Sequence, residues 1–124
     1  MNKITNHHIA SFFSTAESVL GLLQQDIQKL YPASEQILKG HDENIKILEV
    51  QFPYFILSCM INRDNKCEAA FILLNQLEDM ETINRIINHC NKNYDYSYLY
   101  QKWIKEENII ELRIINPSVL FVVY

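Results

Sequence analysis

Three cysteines, four histidines and fifteen carboxylates are the groups in this chain that can serve as nucleophiles, metal ligands or acid–base pairs. Their spacing argues against each use. Structural zinc takes Cys and His ligands at short fixed intervals. The candidates here are His7-His8, His41 and His89-Cys90, and no CxxC, HxxxH or CxxH spacing occurs. Adjacent residues on a helix do not face each other, so neither pair chelates one ion well. No metal and no cofactor is expected. A nucleophilic Cys90 needs a base within hydrogen-bond reach. His89 is its chain neighbour but falls on another helical face, while Cys90 lies on an apolar stripe and reads as a core residue. Glu78, Asp79, Glu106 and Glu107 sit at a helix start or in a polar turn, where a solvated face is expected rather than a catalytic pair. The chain is therefore read as non-enzymatic.

Cys59 and Cys67 flank a hairpin turn, and their relation depends on its register. A turn centred on Asp64-Asn65 sets Cys59 opposite Ala70; one centred on Arg63 sets the two cysteines opposite each other. A disulfide needs Cα atoms within about 7 Å. Reduced, semi-buried thiols are the expected state.

The segment with the clearest binding chemistry is Tyr94-Asp95-Tyr96-Ser97-Tyr98-Leu99-Tyr100, followed by Trp103, Glu106 and Glu107. Tyrosine and tryptophan bring area and a polar tip together, and both are enriched in protein interfaces. The four tyrosines alternate, which places them on one face if the segment is a strand. Such a face can pack on a helix with its hydroxyls at the rim, meet a partner protein, or line a small-ligand pocket. Tyr94, Asp95, Tyr96, Tyr98, Tyr100, Trp103, Glu106 and Glu107 are the candidate partner-binding residues.

The elements that must carry these residues follow from periodicity. Ile9, Phe12, Phe13, Ala16, Leu20, Leu23, Ile27 and Leu30 recur at steps of three and four, which predicts one long helix of about six turns. Thr5 or Asn6 can cap it and Pro32 stops it. A short helix is expected over Ala33–Lys39, ended by Gly40. Ile45–Phe52 and Tyr54–Ile61 read as strands, and Cys67–Leu74 as a third, the last two forming a hairpin about Asn62–Asn65. Asn75–Glu78 resembles a capping box and opens a helix to about Asn91. Residues 91–108 are ambiguous between strand and helix, with the strand preferred. Ile109–Ile115 is a strand, Asn116-Pro117 a turn, and Ser118–Tyr124 a final strand. That strand carries Val119, Leu120, Phe121, Val122 and Val123, so it is either interior to the sheet or paired across a homodimer. The whole predicts one α+β domain over residues 1–124, in the order α-βββ-α-(β)ββ. It has an antiparallel sheet of five to six strands, with the long N-terminal helix and a second helix packed on it.

Composition narrows the function. The chain has 124 residues, 48% of them hydrophobic and 21% charged, within the range of folded domains. Eleven basic residues against fifteen acidic ones give a net charge of -4, and no basic cluster is present, so nucleic acid is not an expected partner. Only two glycines occur, where about eight or nine are usual. Neither GxGxxG nor GxxxxGK[ST] is present, which argues against nucleotide cradles. No apolar run approaches the roughly 20 residues of a membrane span, and no signal-peptide core is visible. The cytoplasm is the expected compartment and no membrane association is expected.

Element order, acidic pI and size resemble those of type III secretion chaperones, which dimerise and wrap an effector segment. They equally resemble those of small bacterial immunity proteins that neutralise toxins. The expectation is a protein-binding inhibitor of the immunity type, acting on a basic partner such as a toxin nuclease. The alternatives are a dimeric chaperone or adaptor, and an enzyme or small-ligand binder with a tyrosine-lined pocket that includes His41 or His89.

Overall fold

A computed structural model describes residues 4–74, 80–106, 108–115 and 118–124. Helix α1 (Asn6–Val19) opens with Thr5 as its N-cap. The Thr5 hydroxyl accepts from the His8 backbone N–H at 3.2 Å, and the Thr5 N–H donates back to His8 Nδ1 at 3.0 Å. Two of the orphan donors at the helix start are thereby satisfied. Ile9, Phe12, Phe13, Ala16 and Val19 form its buried stripe.

The expected six-turn helix is two helices. The chain breaks at Gly21, whose φ of 81° lies in the left-handed region, and resumes as α2 (Gln24–Leu30). The cause is tertiary. Gly21 N–H donates to Cys67 O at 2.7 Å, Cys67 N–H to Leu22 O at 2.9 Å and Gln24 N–H to Asn65 O at 2.8 Å. The linker thus stitches itself to the hairpin turn that follows, and these bonds replace helical ones. Ile27 is still buried, so the apolar spacing continues through the break.

A second expectation also fails. Residues 36–40 are not helical but form strand β1 (Gln36–Gly40), paired antiparallel with β2 (Lys46–Gln51). Gln36 Nε2 donates to Gln28 O and Tyr31 O, at 3.1 and 2.8 Å, and so closes the end of α2. Ladder pairing outweighs a weak local helix propensity. The β1–β2 turn is held by Asp42 Oδ1, which accepts from Asn44 and Ile45 N–H.

Strand β3 (Phe55–Ile61) runs between β2 and β4 (Cys67–Leu74), with a register shift at Met60/Ile61. The next helix is α3 (Met80–Asn93); the capping-box sequence expected before it lies outside the described residues. Then come β5 (Asp95–Ser97), β6 (Lys102–Lys105), β7 (Asn108–Ile115) and β8 (Ser118–Val123). The turn expected at residues 116–117 is likewise not described. All eight described strands form one antiparallel sheet in the order β1-β2-β3-β4-β8-β7-β6-β5. The α+β class is as expected, with more strands than the five or six anticipated.

The last strand is central. Its edges are both occupied, by β4 and by β7, so β8 has no free edge for a second chain and its interior placement is the one realised. The helices pack on one face only, closing a core around Phe12, Phe13, Leu48, Leu57, Ile72, Ile110 and Phe121. The other face carries a smaller apolar strip of Ala69, Met60, Phe71, Leu73, Val122 and Tyr124. No described helix is long and apolar enough to cross a membrane.

Candidate functional site: the aromatic β5–β6 hairpin

The predicted tyrosine face is divided by the structure. Tyr94 lies just before β5 and is buried. Its hydroxyl donates to Glu17 Oε1 at 2.6 Å, and its ring meets Phe13 edge-on at 6.1 Å. It joins α1 to the end of α3. Burial, then the hydrogen bond and charge of Glu17, raise its pKa well above the usual phenol range. Glu17, off the apolar stripe of α1, is part-buried where this contact forms.

Trp103 is the anchor of the hairpin. It is 4% exposed, and its indole N–H donates to Asn91 Oδ1 at 2.8 Å. A buried indole with its one donor satisfied is a stable support. Tyr96 is the cross-strand partner of Trp103 and packs edge-on against it at 5.2 Å. Tyr98 in turn packs edge-on against Tyr96 at 5.0 Å. The aromatic chain thus runs outward from the core to the tip.

At the tip the strand alternation ends. Residues 98–101 form the turn between β5 and β6, closed by Gln101 N–H donating to Ser97 O at 2.7 Å. Gln101 takes a positive φ of 56° to complete it. The consequence is three consecutive large side chains in water: Tyr98 is 87% exposed, Leu99 83% and Tyr100 66%. Adjacent turn residues have no neighbouring strand to cover them, so they project together.

The acidic part of the predicted constellation lies elsewhere on the hairpin. Asp95 is exposed and pairs with Ile104, and Glu106 follows at the end of β6 with φ 53°. Both sit at the hairpin base, roughly 10 Å from the tip by strand rise. Glu107 lies outside the described residues. Lys102, next to the tip, is engaged by Glu111 at 3.3 Å and by the Tyr124 hydroxyl at 2.8 Å. Lys105 lies 5.6 Å from the centre of the Tyr94 ring. Sequence reasoning singled out this segment as aromatic, and the structure divides it between core and turn. That reasoning missed that Leu99 belongs with the tyrosines, because alternation assigns it to the opposite face.

The thiols are core groups. Cys59 faces Ala70 across the β3–β4 ladder and Cys67 faces Ile61. Of the two registers considered, the one with Cys59 opposite Ala70 is realised, and all three cysteines are free and buried. Burial pushes the Cys90 thiol up to about 12, which leaves almost no thiolate at neutral pH. Contact with Cys67, together with burial, raises Cys59.

A pocket lies between α1 and α3, lined by Asn6, Ile9, Arg85, Asn88, His89 and Lys92. No tyrosine lines it, so the tyrosine-lined pocket of the third expectation is not formed there. No group of three or more His, Cys, Asp or Glu residues able to hold a metal is found among the described residues. Comparison of the chain with known protein families, with curated proteins and with solved structures finds no match.

Proposed function

We propose that this protein is a non-enzymatic binding module that docks the Tyr98-Leu99-Tyr100 tip of its β5–β6 hairpin into a cleft of a partner protein. The observation that carries this reading is the exposure of three consecutive large side chains on a turn whose root is a buried, hydrogen-bonded tryptophan. Leaving such groups in water forgoes about 1.5–3 kcal/mol per residue that burial would return. A rigid base beneath them limits the ordering cost of binding. Tyrosine-rich tips of this kind fit a concave surface.

The acidic balance favours a basic partner, met by Asp95 and Glu106 at the hairpin base. An inhibitor of a basic enzyme, such as an immunity protein against a toxin nuclease, is the form of this reading that the charge supports. The test replaces Tyr98, Leu99 and Tyr100 together with serine. The variant should fold as the parent does and lose the stoichiometric partner that the parent retains from native lysate. Equal retention by both proteins would contradict the reading.

The opposite end of the sheet favours a second reading. Ile37 and Leu38 are exposed on β1 and Leu30 is exposed at the end of α2, and the outer edge of β1 has no strand partner among the described residues. An adaptor that holds an extended segment by strand addition would use this edge.

A further inference from the structure

The pocket between α1 and α3 is unlike the rest of this acidic chain. Asn88, His89 and Lys92 lie three, four and seven residues beyond Arg85 on α3, so the four share one strip of that helix. Asn6 and Ile9 of α1 complete the lining, and no carboxylate among the described residues is part of it. Its volume is about 280 Å³.

Donor counting shows what it can hold. Arg85 Nη1 donates to Ile4 O at 2.5 Å and Nη2 to Asn6 Oδ1 at 2.9 Å. These bonds tether the start of α1 to α3 and fix the guanidinium plane. A guanidinium has five N–H donors, so about three remain for a ligand. The Asn6 oxygen is taken by Arg85, which leaves its amide nitrogen as the group on offer. Lys92 makes no ion pair among the described residues and adds three donors. The His89 ring is stacked on Phe13 at 5.4 Å and has Nδ1 at 3.3 Å from the Asn93 amide nitrogen. Desolvation lowers its pKa against the opposing pull of Glu17, so the ring is neutral at neutral pH.

Among the described residues the lining is therefore rich in donors and carries two full positive charges with no carboxylate of its own. We propose that this pocket binds a small phosphomonoester. A dianionic phosphoryl group matches both cations and offers acceptors to Arg85, Lys92, Asn6 and Asn88 at once. A carboxylate would leave one cation unmatched. The volume holds a phosphoryl group and a short organic remainder, with Ile9 as the apolar wall. This site is separate from the aromatic hairpin and does not depend on its role.

The test is a titration of the full-length protein, labelled with nitrogen-15, with glycerol 3-phosphate, inorganic phosphate and glycerol. Side-chain signals of Arg85 and His89 are followed. Glycerol 3-phosphate should give saturable shifts with a dissociation constant on the order of 1 mM or below. Inorganic phosphate should bind more weakly, and glycerol should give no shift. Lys92→Ala should weaken binding about tenfold without a change in melting temperature, because Lys92 is exposed. Lys29→Ala, an exposed lysine elsewhere, should leave binding unchanged. No saturable shift, or equal weakening by the two lysine variants, would overturn the proposal. Equal affinity for inorganic phosphate and glycerol 3-phosphate would overturn the assignment to a monoester.

Discussion

Tyr94 shows how one hydroxyl can join two elements, α1 and the end of α3. Its bond to the part-buried Glu17 is a hydrogen bond to a carboxylate, a class worth about 1.5–3 kcal/mol. Tyr94→Phe should lower the stability read from urea unfolding by about 2 kcal/mol, without altering the fold. His89 carries a pH dependence. Its pKa is lowered in the folded state by desolvation, with Glu17 pulling the other way. A lowered histidine pKa means that the unfolded chain binds the proton more readily. The contribution of the neutral ring is complete above the unfolded value of 6.5 and is lost as pH falls through the lower folded value. Parent stability should therefore fall more between pH 7 and pH 5 than that of His89→Gln, with urea midpoints at the two pH values as the measure. Cys59, Cys67 and Cys90 should resist alkylation in the native protein at pH 8 and all react once it is unfolded, counted by mass. Rapid native labelling of Cys90 would contradict its placement in the core.

At the scale of the element, Gly21 is where local pattern and tertiary structure part. Its φ of 81° is costly for a residue with a Cβ, although nothing stands within 4 Å of where that atom would go. Gly21→Ala should thus destabilise by about 1 kcal/mol through the backbone alone, measured by thermal unfolding. The break at Gly21 was not legible because the apolar spacing runs across it; a glycine within a helical pattern was the available signal. Strand β1 escaped for a related reason. Its partner is β2, and a five-residue segment that is mostly exposed shows no burial period of its own. The hairpin of β3 and β4 was legible, since both strands are apolar and the Asn62–Lys66 turn is built on side-chain caps by Asn62. The tyrosine segment was half legible. Alternation put the four tyrosines on one face; the structure buries Tyr94 against Phe13 and packs Tyr96 on Trp103, and the alternation ends after Ser97, where the chain turns and exposes Tyr98, Leu99 and Tyr100 together.

For the molecule as a whole, one face of the sheet carries the helices and its two outer strands mark opposite ends, β1 and β5. The α+β class follows from where the apolar strands fall in the sequence, which for β8 left an interior place and pairing across a homodimer both open. The sheet order does not, because β8 enters between β7 and β4 through pairings distant in the chain. The two ends present different surfaces: an aromatic tip beside β5, and aliphatic side chains beside β1. The binding account rests on the first of these. It is tested most directly by amide hydrogen exchange on the complex with the partner retained from native lysate. The account predicts slowed exchange over Tyr96–Gln101, with the β1 amides unchanged. Slowed exchange confined to β1, or to the open sheet face around Phe71 and Val122, with residues 96–101 exchanging as in the free protein, would contradict it.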